Sequence, residues 1–265
     1  MDRTRRERRQ GQAVVRGRLV PESTHDQRLL DRQGPADWLH MDPWRVMRIQ
    51  AEFVEGFGQL AELPRAVTVF GSARTPAGTA EYTMGVALGR AIAEAGYAVI
   101  TGGGPGVMEA ANKGAREVDG AWSVGLGIEL PFEQRMNDYV DLGIEFRYFF
   151  VRKTMFVKYS CGFIALPGGF GTLDELFEAL TLVQTQKVTS FPVVLLGTEF
   201  WGGLIDWIKQ ALLGTGKIAE RDLDLITVTD DVDEAVRVIV ESDRARSLRR
   251  QEEVEAVEGR SAEPQ

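Results

Sequence analysis

The residues best suited to chemistry lie in a glycine-rich segment, LPGGFGTLDE, at 166–175. Its glycines are followed by Thr172, and Glu175 stands about one helical turn further on. Glycine lets backbone N–H groups approach an anion closely, and a helix start adds unpaired donors and a favourable dipole. The segment therefore predicts a phosphate site with a carboxylate beside it. The glycines concerned are Gly168, Gly169 and Gly171.

Two further segments also join an apolar run to a helical pattern through small residues. They are FGSAR at 70–74 and TGGGPGVMEAAN at 101–112. Ligands of open α/β sheets bind at the carboxyl ends of the strands. Three such turns favour a nucleotide or sugar-phosphate pocket over glycines that serve only tight turns and packing. The residues singled out in these two segments are Ser72, Gly103, Gly104 and Glu109.

The common nucleotide signatures are missing from these turns. The sequence has no G-x-x-x-x-G-K-[ST] phosphate loop, and Val107 stands where the last glycine of G-x-G-x-x-G would fall. These departures disfavour ATP hydrolysis and NAD-dependent hydride transfer. A mononucleotide remains as the ligand class.

The composition limits which side chains can act. The only histidines, His25 and His40, lie in or beside a polar N-terminal arm that we expect outside the α/β region. The only cysteine, Cys161, lies in an apolar run, so a Cys/His metal cluster is not expected. Because histidine is the usual general base, the chemistry is expected to fall to carboxylates, arginine and lysine. Near the glycine turns these are Glu109, Glu133, Arg152, Lys153, Asp174 and Glu175.

Each of these charged residues also has a purely structural interpretation. Thr172 and Glu175 have the spacing of a capping box, in which the glutamate reaches back to the helix start. Glu109 could serve the dipole of its own helix, and Arg152 and Lys153 could be ordinary surface charges. Both interpretations stay open for each residue taken alone.

Short apolar runs alternate with helical patterns from residue 66 onward, which predicts a Rossmann-like, doubly wound α/β domain with a parallel sheet. Strands are predicted over 66–70, 97–101, 122–128, 162–166, 192–196 and 225–228, and helices over 79–95, 106–118, 150–160, 171–186, 200–213 and 231–241.

The ends of the chain differ from this central pattern. Residues 1–40 carry several arginines and little apolar patterning, and we expect a mobile basic arm. Asp42 and Pro43 predict the start of a leading helix over 43–63, so the catalytic domain is expected to span 41–241. Residues 242–265 are expected to form a charged tail.

Two paired motifs carry a family resemblance. PGGFGTLDE fits P-G-G-x-G-T-x-x-E, and RKTMF at 152–156 fits its companion R-K-x-x-M. Over residues 64–240 the chain resembles the LOG family of cytokinin riboside 5′-monophosphate phosphoribohydrolases. The resemblance implies a Rossmann-like fold and hydrolysis of the N-glycosidic bond of an adenosine 5′-monophosphate, N6-substituted or not. The products would be the free base and ribose 5-phosphate, and no cofactor or metal is expected.

The resemblance also implies roles for particular residues. Arg152 and Glu175 correspond to the catalytic pair, and Lys153 and the segment 168–172 to nucleotide-binding positions. Glu133 corresponds to a substrate-holding glutamate, and Thr181 to a threonine at the far end of the motif helix. The turn at 102–106 would line the pocket. Family dimers form around the motif helices, so a homodimer or a higher homo-oligomer is expected.

Three alternatives stay open. The first is a broad purine nucleotide 5′-monophosphate nucleosidase for salvage, and the second a carrier that binds a nucleotide-like cofactor without turning it over. The third, a nucleic-acid partner for the arginine arm, is disfavoured by the net charge of −8 and the isoelectric point near 5.0. With no secretory leader and no apolar run of membrane-spanning length, a cytoplasmic protein without a membrane partner is expected.

Overall fold

A computed structural model of the chain describes residues 7–10, 13–16, 23–30, 43–130, 135–185, 187 and 191–261. The strands are β1 (Glu7–Gln10), β2 (Ala13–Arg16), β3 (Ala66–Phe70), β4 (Ala98–Thr101), β5 (Ser123–Ile128), β6 (Leu142–Phe146), β7 (Ser160–Ala165), β8 (Val193–Leu196) and β9 (Ile226–Thr229). The α-helices are α1 (His25–Leu30), α2 (Pro43–Gln59), α3 (Ala80–Glu94), α4 (Val107–Arg116), α5 (Phe149–Tyr159), α6 (Phe170–Gln184), α7 (Thr198–Trp207) and α8 (Val232–Ser261). A π-helical segment follows α7 over Ile208–Leu213, and a 3-10 helix spans Glu220–Leu225.

Seven strands form one parallel sheet in the order β6-β5-β4-β3-β7-β8-β9. Strands β4, β5 and β6 follow one another on one side of β3. The chain then returns to the other side of β3, where β7 pairs with it and β8 and β9 follow. The order therefore reverses between β3 and β7, and a crevice opens at their carboxyl ends. The Rossmann-like, doubly wound sheet predicted from the sequence is confirmed.

The core lies on both faces of this sheet. Val67 and Val69 of β3 belong to one buried cluster, while Ala66 and Phe70 of the same strand belong to the other. Successive side chains of a strand point to opposite faces, so a strand covered on both sides is largely apolar. Strands β3, β4, β7 and β8 are buried at every position, which explains their mostly apolar sequences. The buried hydroxyls of Thr68 in β3 and Ser160 in β7 hydrogen-bond to each other at 2.5 Å.

Two elements depart from the predicted pattern. Strand β6 was not predicted, because only two of its five residues, Ile144 and Phe146, are buried at this sheet edge. Helix α8, predicted to end at 241, continues to Ser261 through residues expected to form a separate charged tail. Asp243 in this extension is buried and pairs with Arg65 at 2.8 Å, so at least the start of the expected tail packs against the domain.

The described parts of the N-terminal region include regular structure. Strands β1 and β2 form an antiparallel hairpin, and α1 follows. The mobility of residues 1–40 stays a prediction, and Asp42, expected to cap α2, lies outside the described residues. Among the helices that the structure describes, none combines the length and the apolar character needed to cross a bilayer.

Helices α3 and α4 approach each other closely through glycine. A Cβ atom at Gly89 would overlap the carbonyl oxygen of Ala111, and one at Gly114 would overlap that of Val86. Both obstacles are backbone atoms, which no side-chain rotation can clear. These two glycines set the distance between the helices and hold α4, which starts at the second glycine turn, against the sheet.

We expect Gly89→Ala to lower the free energy of unfolding by about 1–3 kcal/mol, because the added methyl group forces the two helices apart. Gly203→Ala in α7 is the matched control, since nothing lies within 4 Å of its Cβ position. This control is expected to raise the free energy of unfolding by up to about 1 kcal/mol, through helix propensity alone. Urea unfolding measures the free energy of unfolding of both variants. Equal changes in the two variants would contradict the close approach of α3 and α4.

Candidate functional site

The three small-residue turns meet at the crevice between β3 and β7. The Ser72 N–H donates to the carbonyl of Pro167 at 3.0 Å, and the Val107 N–H donates to the carbonyl of Ser72 at 3.0 Å. The backbone thus joins all three turns, as expected for loops at one sheet edge. Gly106 is required here: its φ is +71°, and a Cβ atom would overlap the Ser72 carbonyl.

The third turn leads into α6 without a side-chain cap. Gly169 is the N-cap, so Thr172 lies inside the helix, and its N–H donates to the Gly169 carbonyl at 3.0 Å. The capping-box interpretation of Thr172 and Glu175 is therefore wrong, because the threonine does not occupy the capping position. The N–H groups at the start of a helix lack carbonyl partners in a preceding turn, so the start of α6 offers donors that suit an anion.

Glu175 and Arg152 form a buried pair. The Arg152 Nη2 atom lies 3.7 Å from Glu175 Oε1, with 13% of the arginine and 4% of the glutamate side chain exposed. Within the described part of the chain, neither carboxylate oxygen of Glu175 has a hydrogen-bond partner, and Arg152 Nε has none. The pair is thus close enough to interact but keeps unused donors and acceptors.

Burial shifts the protonation of both groups. Loss of solvent raises the pKa of Glu175 to about 7, although the charges of Arg152 and Lys153 act to lower it. Burial also lowers the pKa of Arg152, with the Glu175 charge acting against that shift. A carboxyl group with a pKa near neutrality can exchange a proton at working pH, as a general base must.

Helix α5 presents Arg152 and Lys153 to α6 in a fixed arrangement. The Arg152 guanidinium lies over the rings of Phe149 and Phe156, at 4.8 and 5.5 Å from their centroids. Lys153 Nζ contacts Asp174 at 2.9 Å and Glu178 at 2.8 Å. Lys153 is therefore not a free surface charge, and it joins α5 to the helix that carries Glu175. The contacts made by Glu178 and the two phenyl rings were not predicted.

The N-terminal region reaches the same edge of the sheet. His25 Nδ1 lies 2.7 Å from Glu129 Oε2, and Glu129 directly follows β5. The expectation that both histidines lie outside the α/β region is wrong for His25, while His40 lies outside the described residues. A polar sequence gave no local signal for this contact, which spans 104 positions.

Two further carboxylates surround Arg152. Asp26 accepts a hydrogen bond from the Phe149 N–H at 3.1 Å, in the first turn of α5. The negative charges of Asp26 and Glu145 both favour the charged form of Arg152. Neither residue was predicted for the site. The only available signal was Glu145, an acidic residue between the buried Ile144 and Phe146.

The second glycine turn is held by a residue that was also missed. Asn137 donates from its N–H to the Gly103 carbonyl at 2.8 Å and from Nδ2 to the Gly104 carbonyl at 3.0 Å. It ends the stretch LPFEQRMN, in which only Glu133 was singled out. Glu133 itself lies outside the described residues, and its substrate-holding role stays a prediction.

The other residues predicted for the site are less closely connected to the Arg152–Glu175 pair. Ser72 Oγ accepts from the Arg74 N–H at 3.0 Å, beside a cavity of about 300 Å³ that is also lined by Gly168. Glu109 accepts from the Tyr82 hydroxyl at 2.8 Å, a contact between α3 and α4 that favours its structural interpretation. Thr181 is exposed six residues beyond Glu175, and its hydroxyl donates to the Phe177 carbonyl at 2.7 Å.

Comparisons with known proteins identify the family of the chain. The family model described as "possible lysine decarboxylase" matches residues 108–239. A Mycobacterium tuberculosis protein named cytokinin riboside 5′-monophosphate phosphoribohydrolase is 33% identical over 162 residues, which cover 58% of this chain and 83% of the relative. The chain belongs to the LOG family.

Two solved structures share the fold of this LOG-family chain. The structural-genomics target TM1055 matches with 28% identity and a TM-score of 0.52, over 67% of this chain and 99% of the other. The molybdenum cofactor carrier protein of Chlamydomonas reinhardtii matches with 27% identity and a TM-score of 0.50, over 68% of this chain and 98% of the other. The same fold thus occurs in a protein that is named as a carrier.

We expect Glu175→Gln to change how stability depends on pH. Folding raises the pKa of Glu175 from 4.5 to about 7, so the folded wild type loses stability as pH rises through that window. Glutamine does not titrate, so the variant should gain about 1–3 kcal/mol relative to wild type between about pH 5 and pH 8. Urea unfolding at both pH values tests this prediction. A difference in the free energy of unfolding between variant and wild type that does not change with pH would contradict the raised pKa of Glu175.

Proposed function

We propose that the chain hydrolyses the N-glycosidic bond of adenosine 5′-monophosphates and releases the free base and ribose 5-phosphate. The observation that carries this proposal is the buried Glu175 carboxylate, which lacks hydrogen-bond partners among the described residues and lies beside a glycine-rich helix start. A buried polar group without partners is costly, and such groups are found where a ligand completes them.

The phosphate is assigned to the start of α6. Neither Gly169 nor Gly171 has a positive φ, and nothing lies within 4 Å of the Cβ position of either. Backbone strain and packing within the described chain therefore do not require glycine at these two positions. Close approach of a ligand would require glycine there, because it places an anion against the N–H groups of a helix terminus.

Glu175 is assigned to the reacting carbon of the ribose. Cleavage passes through an oxocarbenium-like state, and a carboxylate beside the anomeric carbon stabilises the developing positive charge. In its ionised form Glu175 accepts a proton from water as the water oxygen bonds to that carbon. The bond from carbon to the base nitrogen breaks, its electron pair stays on the base, and the base takes up a proton.

Arg152 is assigned to positioning and charge stabilisation. Its guanidinium lies 3.7 Å from Glu175 Oε1, and its Nε has no hydrogen-bond partner among the described residues. Donors held in place before the reaction stabilise charge without the cost of reorganisation. Lys153, which joins α5 to α6, is assigned to nucleotide binding beside it.

The name of the Mycobacterium tuberculosis relative supports N6-substituted adenosine monophosphates as substrates. AMP itself is the alternative substrate, for purine salvage. A carrier of a nucleotide-like cofactor is the second candidate function, supported by the likeness to the Chlamydomonas reinhardtii carrier. The buried Arg152–Glu175 pair favours catalysis, because ligand retention does not require a carboxyl group whose pKa lies near 7.

A homo-oligomer built around α6 is also proposed. Phe170 at the start of this helix is 91% exposed, and Phe177 two turns later is partly exposed. Large apolar side chains exposed on one helix are typical of protein interfaces. Assembly at this helix would bring a second chain close to the exposed Thr181.

We expect Glu175→Gln to lower kcat for adenine release from AMP by roughly 10²–10⁴, the usual effect of removing a positioned acid or base. Glutamine keeps the shape of the side chain, so a fall in kcat with a small change in KM separates catalysis from binding. Glu94→Gln, an exposed substitution at the end of α3, is the control and should keep wild-type turnover. Wild-type turnover by Glu175→Gln would remove Glu175 from the mechanism.

A further inference from the structure

A second large cleft opens at the opposite edge of the sheet. Its volume is about 830 Å³, and it lies where β3 and β7 begin, under the exposed turns of α8. The glycine turns lie at the carboxyl ends of the same strands. The cleft is therefore separate from the proposed catalytic site, and the activity proposed above makes no use of it.

Positive charge is concentrated at this cleft. Five cationic residues line it against one carboxylate, Asp243, although the whole chain carries a net charge of −8. A local excess of positive charge in an acidic protein attracts anions to that place. The cationic residues are Arg65, Lys158, Arg246, Arg249 and Arg250.

The buried carboxylate holds part of this charge in a fixed position. Asp243 has 2% of its side chain exposed and accepts at 2.8 Å from Arg65 Nη1 and from Arg246 Nη2. It also accepts from the Tyr97 hydroxyl at 2.8 Å. Burial acts to raise the pKa of Asp243, but hydrogen bonds from Tyr97 and Arg246 outweigh it and lower the pKa. Two guanidinium groups are thereby held in place at the wall of the cleft.

Asp243 compensates only part of the positive charge. It offsets one of the two guanidinium charges that it holds, and Lys158 and Arg250 add exposed cations to the lining. Lys158 Nζ lies 5.4 Å from the ring centroid of Phe57 and 5.3 Å from that of Tyr159. Arg65 and Arg246 have a structural role, because the network that they form with Asp243 attaches α8 to the sheet. This role does not explain why further cationic residues line the same cavity.

Apolar surface lines another part of the cleft. Leu63, Pro64 and the ring of Tyr159 contribute to the lining beside the cations. Sites for organic ligands combine apolar walls with a few fixed polar groups. Inorganic phosphate needs only the charges, whereas a nucleotide uses the charges for its phosphates and the apolar wall for its base.

We infer that this cleft is a second ligand site that binds a nucleoside triphosphate. The phosphates contact Arg65, Arg246, Lys158 and Arg250, and the base lies against Leu63, Pro64 and Tyr159. Arg65 Nη2 also donates to Ser247 Oγ at 3.0 Å, and each guanidinium group has N–H donors beyond those that these contacts use. Guanidinium groups bind phosphate oxygens as charged hydrogen-bond donors. The inference rests on the cleft alone and holds whether or not the catalytic proposal is correct.

The test is calorimetric titration of the full-length chain with ATP in the presence of saturating ribose 5-phosphate, a product of the proposed reaction that occupies the phosphate position of the catalytic site without being consumed. The variant is Lys158→Gln/Arg250→Gln, which removes two cleft charges and leaves the Asp243 network intact. The control is Arg237→Gln/Arg244→Gln, which removes two exposed charges of α8 outside the cleft lining. The cleft variant should bind ATP about tenfold or more weakly, while the control stays within about twofold of wild type.

Several outcomes would overturn the inference. They are no binding of ATP at millimolar concentration, competition between ATP and ribose 5-phosphate for one site, or equal weakening in the cleft variant and the control. Inorganic tripolyphosphate that binds as tightly as ATP would overturn the nucleoside assignment. AMP turnover is measured separately, so failure of the ATP site and failure of the proposed activity give different results.

Discussion

The burial of the Glu175 carboxylate against Arg152 is the constraint on which the rest of the site depends. A charged group removed from water is strongly destabilised unless it is paired and hydrogen-bonded, and this pair is only partly satisfied. The folded core must therefore hold the two helices in place against that cost. Helix α6 follows the central strand β7 through the glycine turn at 166–169, and α5 directly precedes β7, so one strand fixes both partners.

The same arrangement gives the sheet two chemically different edges. At the carboxyl edge the three turns place backbone N–H groups and a carboxyl group of raised pKa beside a crevice. At the amino edge a buried aspartate of lowered pKa fixes cationic side chains around a larger cleft. Helix α5 runs between these edges, with Arg152 near its start and Lys158 near its end, roughly 9 Å apart along the helix axis. One helix thus contributes to both places.

The sequence predicted the features that local patterns carry, and it missed those that depend on distant contacts. The buried strands and the glycine turns were predictable, because a parallel sheet requires apolar runs and the turns require small residues. The docking of His25 and Asp26 and the burial of Asp243 depend on partners about 100 positions or more away. The capping-box interpretation failed because the helix starts three residues earlier than that spacing implied. Glu133 and the role of Thr181 stay predictions.

The most direct measurement is turnover by the purified wild-type chain with AMP and, in parallel, with adenosine. The two compounds share base and ribose and differ only in the phosphate assigned to the start of α6. The account predicts release of adenine and ribose 5-phosphate from AMP, with release from adenosine lower by at least about a hundredfold, because remote binding energy is used in the transition state. Tight binding of AMP without release of adenine would contradict it and favour a carrier.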